Sequence, residues 1–436
     1  MRRRHLFGLC ALVAATAGLL GGVLAGEPAG VTASGVRPEA AAARLLDGFS
    51  PGDTRAYVDA LERRVSAGPN DAEALMLLGL AYQQRARETA DLSFYGRSER
   101  ALHRSLALVP RNDVAVTGLA ALAASRHRFD EARILARRSL ALNPYSAAAL
   151  GILGDANVET GRYRAAFSAF DRMAALKPTA SAYARISYAR ELLGRTDDAI
   201  AAMKLAAAAA SASGETASWA RTQLGNLYAD VGRLDSAGSE YEHALRLSPG
   251  YAPALAGLAA LELWRGEAGE AARLYGDALA ARPLPEFAVG LGDAFDRAGW
   301  EAAAARAYRR AEELEGHFAT NGGRNELETA LFHLDHDGDL VDALSRARAG
   351  RDLRPSVEGE HVLAWALYKN GRCDEARAHS IRALRLGTKD WGAMLHRSLI
   401  ESCLGNGGAA RLWRERALGA NPYALAAFGP LAAHRR

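Results

Sequence analysis

Residues 218–249 read SWARTQLGNLYADVGRLDSAGSEYEHALRLSP. An apolar helical pattern runs through Leu224-Gly225 and Tyr228 and stops at Gly232. Glycine ends a helix readily because it takes the left-handed conformation at little cost. A second helical pattern follows through Ala237, Tyr241 and Ala244-Leu245 and closes at Pro249. Proline cannot donate to the preceding turn, so it stops one helix and opens the next unit. The segment therefore predicts helix, turn and helix within a unit of about 34 residues.

The same punctuation recurs along the chain. Pro110, Pro144 and Pro178 are 34 apart, and so are Pro249 and Pro283. Gly161, Gly194, Gly232, Gly266, Gly299, Gly338, Gly371 and Gly405 follow at gaps of 33, 38, 34, 33, 39, 33 and 34. One such pair of helices cannot bury its apolar face alone, so the units must stack on one another.

These marks resemble the tetratricopeptide repeat (TPR) family. Residues 72–110 carry Leu75, Leu78-Gly79 and Tyr82; residues 147–178 carry Leu150, Leu153-Gly154, Ala166 and Phe170. Residues 285–316 carry Leu291-Gly292, Phe295, Ala304, Tyr308 and Ala311. Six further units match less fully, at 113–144, 180–211, 252–283, 324–355, 357–388 and 391–422. The resemblance implies an all-α fold, a right-handed α-α superhelix of about ten repeats. It also implies that first helices line a concave surface and that the array makes more than one turn. Three stretches depart from the period: Glu88–Tyr95, Ser211–Thr216 and His317–Gly323 are insertions, read as bends or as loops that touch a partner.

The predicted organisation is a solenoid over 71–422, with a leader and an N-terminal capping helix over 26–70 and a C-terminal cap or tail over 423–436. Residues 1–25 read as an export signal: Arg2-Arg3-Arg4 precedes an apolar run, and cleavage falls after Ala25. An uncleaved membrane anchor is the alternative, and either places the protein in the exported, extracytoplasmic class of a bacterial cell. The chain has 436 residues and a net charge of +4. Residues 26–342 carry −7 and residues 343–436 carry +8. A chain this close to neutral lacks the basic stripe of a general nucleic-acid binder.

Candidate chemistry is sparse. No GxSxG, P-loop, HExxH or strand-borne GxGxxG occurs, so no catalytic residue and no cofactor is expected. His333, Asp335, His336, Asp337, Asp339 and Asp342 cluster, and Asp335-x-Asp337-x-Asp339 echoes a calcium loop. However, Leu340 and Arg346 stand where that loop needs glycine and a bidentate glutamate, so the cluster reads as a solvated turn and not a metal site. The repeat places Cys373 and Cys403 on helices that pack antiparallel, which allows a disulfide; two free thiols are the alternative.

Carried over from the repeat pattern, the concave face contains Asp155, Glu159, Tyr188, Glu191, Trp219, Asn226, Asp230 and Trp264, then Asp293, Asp296, Phe332, Trp365 and Tyr368. That surface is acidic in the middle and aromatic towards the C-terminal end, which favours a basic or aromatic-containing protein or peptide. The expected function is a non-catalytic interaction scaffold or adaptor. The alternative is a structural or self-associating component of a cell-envelope complex.

Overall fold

The computed structural model describes residue 42 and residues 54–210, 214–336 and 338–428. The predicted export signal lies outside them. Within the described residues there are 22 helices and no strand, and no helix is long and apolar enough to cross a membrane. Helix α1 (Thr54–Ala67) precedes ten helix pairs. They are α2/α3 (Ala72–Thr89, Ser93–Leu108), α4/α5 (Asp113–Ser125, Phe129–Leu142) and α6/α7 (Ala147–Glu159, Tyr163–Leu176). Next come α8/α9 (Ala180–Leu192, Thr196–Ala209), α10/α11 (Glu215–Asp230, Leu234–Leu247) and α12/α13 (Ala252–Arg265, Ala268–Ala281). The C-terminal pairs are α14/α15 (Pro285–Arg297, Glu301–Thr320), α16/α17 (Glu326–Asp335, Leu340–Leu353), α18/α19 (Val357–Lys369, Cys373–Ala383) and α20/α21 (Trp391–Cys403, Gly407–Ala420). A short α22 (Ala424–Phe428) follows.

Local chemistry explains the pairs. Asp71, Asn112, Ser146, Thr179, Ser356 and Asp390 cap first helices by accepting a backbone N–H, which satisfies donors that a helix start leaves unpaired. Where helices cross, ring meets glycine. The Tyr241 ring is fully buried between Gly225 of its own unit and Gly257 of the next, where an added Cβ would lie 2.5–2.6 Å from it. Phe170, Tyr275 and Tyr308 fill equivalent spaces against Gly154, Gly290 and Gly292. The helices approach closely because nothing larger than hydrogen stands there.

The units wind into a superhelix whose second turn rests on its first. Its seam joins residues 191 to 198 apart, just under six units. Arg128 Nε donates to Gly322 O (3.0 Å) and the Arg324 N–H to Arg126 O (3.1 Å). Arg354 Nε donates to Glu159 Oε2 (3.0 Å), the Val357 N–H to Tyr163 Oη (2.6 Å), and Asn421 Nδ2 to Ala229 O (3.1 Å). Corners inside the earlier units thus meet linkers between the later ones. Gly161 and Gly194, at φ +70°, abut the backbone carbonyls of Pro355 and Gly387. The insertion at His317–Gly323 belongs to this seam: Phe318 packs on His127, 5.1 Å between ring centres.

Candidate functional site

The stacked turns enclose a lumen of about 910 Å³, lined from α2, α10, α12, α14, α15, α16 and adjoining linkers. Of the predicted groove residues, Trp219, Asn226 and Phe332 line it. Asn226 Oδ1 accepts from Tyr241 Oη (2.7 Å), and Phe332 stacks on His336, 4.7 Å between ring centres.

Several other predicted groove residues are not on a free surface. Asp155 is buried and receives two guanidinium nitrogens of Arg185, Nε at 3.0 Å and Nη2 at 2.7 Å. Glu159 is spent on Arg354 across the seam. Asp293 is 0% exposed and accepts from Tyr308 Oη (2.8 Å) and pairs with His336 Nε2 (3.1 Å). Trp264 packs edge-on against Trp391 (6.2 Å). Trp365 is 0% exposed, stacks on His396 (3.7 Å) and donates from Nε1 to Asp335 Oδ1 (2.9 Å). Tyr368 is half-buried on Trp365, and Tyr188 is half-buried against the buried cluster that includes Tyr163, Phe170 and Leu192. Asp296 is half-buried. Two physical reasons account for these positions. The buried acids have found hydrogen-bonding partners, because an unpaired buried charge is costly, and the aromatic rings pack against neighbouring rings and apolar side chains.

Glu191 and Asp230 behave differently. They meet Asp390, the α20 cap, in a half-buried cluster of three carboxyls contributed by both turns. Burial, then Asp390, pushes the Glu191 carboxyl up to about 7. Burial and its two acidic neighbours raise Asp230 well above the carboxylate range, against a hydrogen bond from Trp391. No cation among the described residues forms an ion pair with Glu191 or Asp230.

The solvated turn expected at 333–342 is corrected in part. Asp335 and His336 are turned inward to Trp365 and Asp293. Asp339 caps α17 by accepting from the Val341 and Asp342 N–H groups, at 2.9 and 3.0 Å. Asp342 pairs with Arg346, and Asp337 lies outside the described residues. Among the described residues, no group of three His, Cys, Asp or Glu side chains is placed to hold a metal ion. Cys373 and Cys403 form a disulfide joining α19 to α20, with Cα atoms 6.3 Å apart.

Sequence reasoning missed Arg87, Glu215, Tyr251 and Arg282, which line the lumen. Arg87 and Glu215 lie on first helices, but no repeat position marks their type. Arg282 and Tyr251 sit in linkers, which the pattern treats as spacers.

Tetratricopeptide repeat profiles match residues 118–181, 220–251 and 361–425. The chain thus carries tetratricopeptide repeats, and its fold is the all-α superhelical solenoid of that repeat class. Solved structures similar to it include Cut9–Hcn1 of the APC/C, at 12% identity over 86% of this chain and 92% of that one, TM-score 0.38. The human IFIT1 dimer with PPP-AAAA is similar at 15% identity over 84% and 78%, TM-score 0.39. The TPR protein TTC0263 of Thermus thermophilus is similar at 24% identity over 41% and 92%, TM-score 0.36. No curated protein sequence matches significantly.

Proposed function

We propose that the protein is an exported, non-catalytic interaction scaffold that holds a basic segment of a protein partner. The carboxyl cluster of Glu191, Asp230 and Asp390 carries this reading. Three half-buried acidic groups gathered without an ion-pairing cation among the described residues favour a cation supplied from outside. Tetratricopeptide arrays are in general protein-binding scaffolds, which agrees with the stacked-pair architecture.

The test is capture from an envelope and culture-fluid extract with residues 26–436 as bait, beside a Glu191→Gln/Asp230→Asn double variant. A partner held by the parent and lost by the variant supports the reading, and equal retention refutes this cluster. Charge reversal at Asp293 is unsuitable, because that side chain is buried and an arginine there would unfold its surroundings. N-terminal mass analysis of protein recovered outside the cytoplasm tests export: a start after Ala25 supports cleavage, and an intact Met1 supports the anchor.

A further inference from the structure

The lumen has a wall whose charges are poorly matched. Arg87 is 8% exposed, and among the described residues its Nη2 donates to a neutral group, Gln84 Oε1 (2.6 Å). Its Nε is buried with no partner among the described residues, and the same holds for Arg282 Nε and for Trp219 Nε1. All three side chains line the lumen, and the two guanidinium groups are near enough to repel. Burial, the largest influence, drives Arg87 below its ordinary range, against the opposing pull of Glu215 and Glu88.

The acids nearby do not fill that need. Gln84 Nε2 donates to Glu88 Oε1 (3.0 Å) and to Glu215 Oε2 (3.2 Å). Glu88 is already paired with Arg85 (3.0 Å). Glu215 and Glu286 lie within electrostatic reach of the arginines, yet burial pushes both carboxyls upward, towards the neutral form. Arg87 Nε, Arg282 Nε and Trp219 Nε1 are thus donors without acceptors, although carboxyls stand near them in the same lining. A buried unpaired donor or cation is costly, and a site with such groups is completed by a ligand that accepts.

Size and lining define the rest of the ligand. A lumen of about 910 Å³ is at the upper end of the range for sites that enclose a small molecule. Trp219, Tyr251, Phe287 and Phe332 add aromatic surface to the same lumen. The ionised fraction of Glu215 and Glu286 would repel a doubly charged phosphate more strongly than a singly charged head.

We propose that the lumen binds an amphipathic monocarboxylate, with its head between Arg87 and Arg282 and its apolar body among Trp219, Tyr251 and Phe287. This site is separate from the cluster of Glu191, Asp230 and Asp390, none of which lines the lumen. It therefore stands or falls apart from the partner-binding reading.

Calorimetric titration of the purified chain with dodecanoate, below its micelle concentration, tests the proposal. The parent should bind one dodecanoate saturably. Arg282→Gln should weaken binding at least tenfold, and Arg282→Lys should recover most of it. Arg282 is chosen because it is half-buried and outside the helix cores, and circular dichroism would verify that the variants stay folded. Dodecanol should bind at least tenfold more weakly than dodecanoate and be indifferent to Arg282→Gln. Absence of saturable binding, equal affinity for dodecanol, or no effect of Arg282→Gln would overturn the site. Tighter binding of dodecyl phosphate would overturn the assignment of the head as a carboxylate.

Discussion

Arg354 shows what a single side chain does at the seam. Its Nη1 donates to Glu328 Oε1 (2.6 Å) in its own turn, and its Nε to Glu159 in the turn below. Burial opposes its charge, but the two carboxylates outweigh burial and hold the guanidinium above its ordinary range. Arg354→Met would leave two buried acids facing each other. We expect a loss of about 3–5 kcal/mol in denaturant unfolding, larger at pH 8 than at pH 5. Asp335 gives a pH dependence of its own. Burial pushes its carboxyl up to about 7, from 3.8 in an exposed setting. The folded state thus binds a proton that the unfolded state has released. The stability this contributes is present below pH 3.8, is lost as pH rises towards 7, and amounts to about 4 kcal/mol at most. Asp335→Asn keeps an acceptor for Trp365 and should flatten thermal stability between pH 4 and 7, leaving the variant at least as stable as the parent at pH 8. An unchanged slope would assign the pH dependence elsewhere. Neither residue's role was legible in the sequence, since both depend on partners brought in by packing.

Among the elements, the corner glycines separate two effects that the sequence merges. Gly194 and Gly371 both adopt left-handed backbone, at φ +70° and +75°. Around Gly371 there is open space, whereas Gly194 abuts the Gly387 carbonyl of the next turn. Alanine at either costs about 1–2 kcal/mol for the backbone conformation. Gly194→Ala should lose at least about 1 kcal/mol more, because the seam must also open. Equal losses in paired urea titrations would show the seam to be loose in solution. The α19–α20 disulfide closes a loop of 30 residues. Cys403→Ser should lower stability by about 3–4 kcal/mol under non-reducing conditions, and adding reductant should bring the parent down to the variant. Helix starts, corners and the ring-on-glycine packing were readable from Pro249, Gly232 and Tyr241, because each rests on neighbours within one or two units. The seam was not readable. It depends on small rotations between units that accumulate over nearly six of them before any contact forms.

For the whole molecule, the second turn decides which first-helix residues remain accessible. Trp391, Met394, Leu395, Ala417 and Ala424 join the core around Trp264 and Ala229. A chain ending at residue 388 would uncover that core. We expect it to bind a hydrophobic dye strongly and to melt earlier, while α2–α9 keep their helical circular dichroism. A truncated chain with the parent's dye response would mean that the C-terminal pair contributes little cover.

The seam also limits how such a chain can evolve by duplication. In an open array, inserting or removing one whole repeat preserves each neighbour's interface and merely changes length. Here it would set every later linker beside the wrong corner, so Arg354 would no longer reach Glu159, nor Asn421 reach Ala229. Copy number is consequently fixed by circumference: each unit is interchangeable with its neighbours in local design, yet bound to one address in the coil.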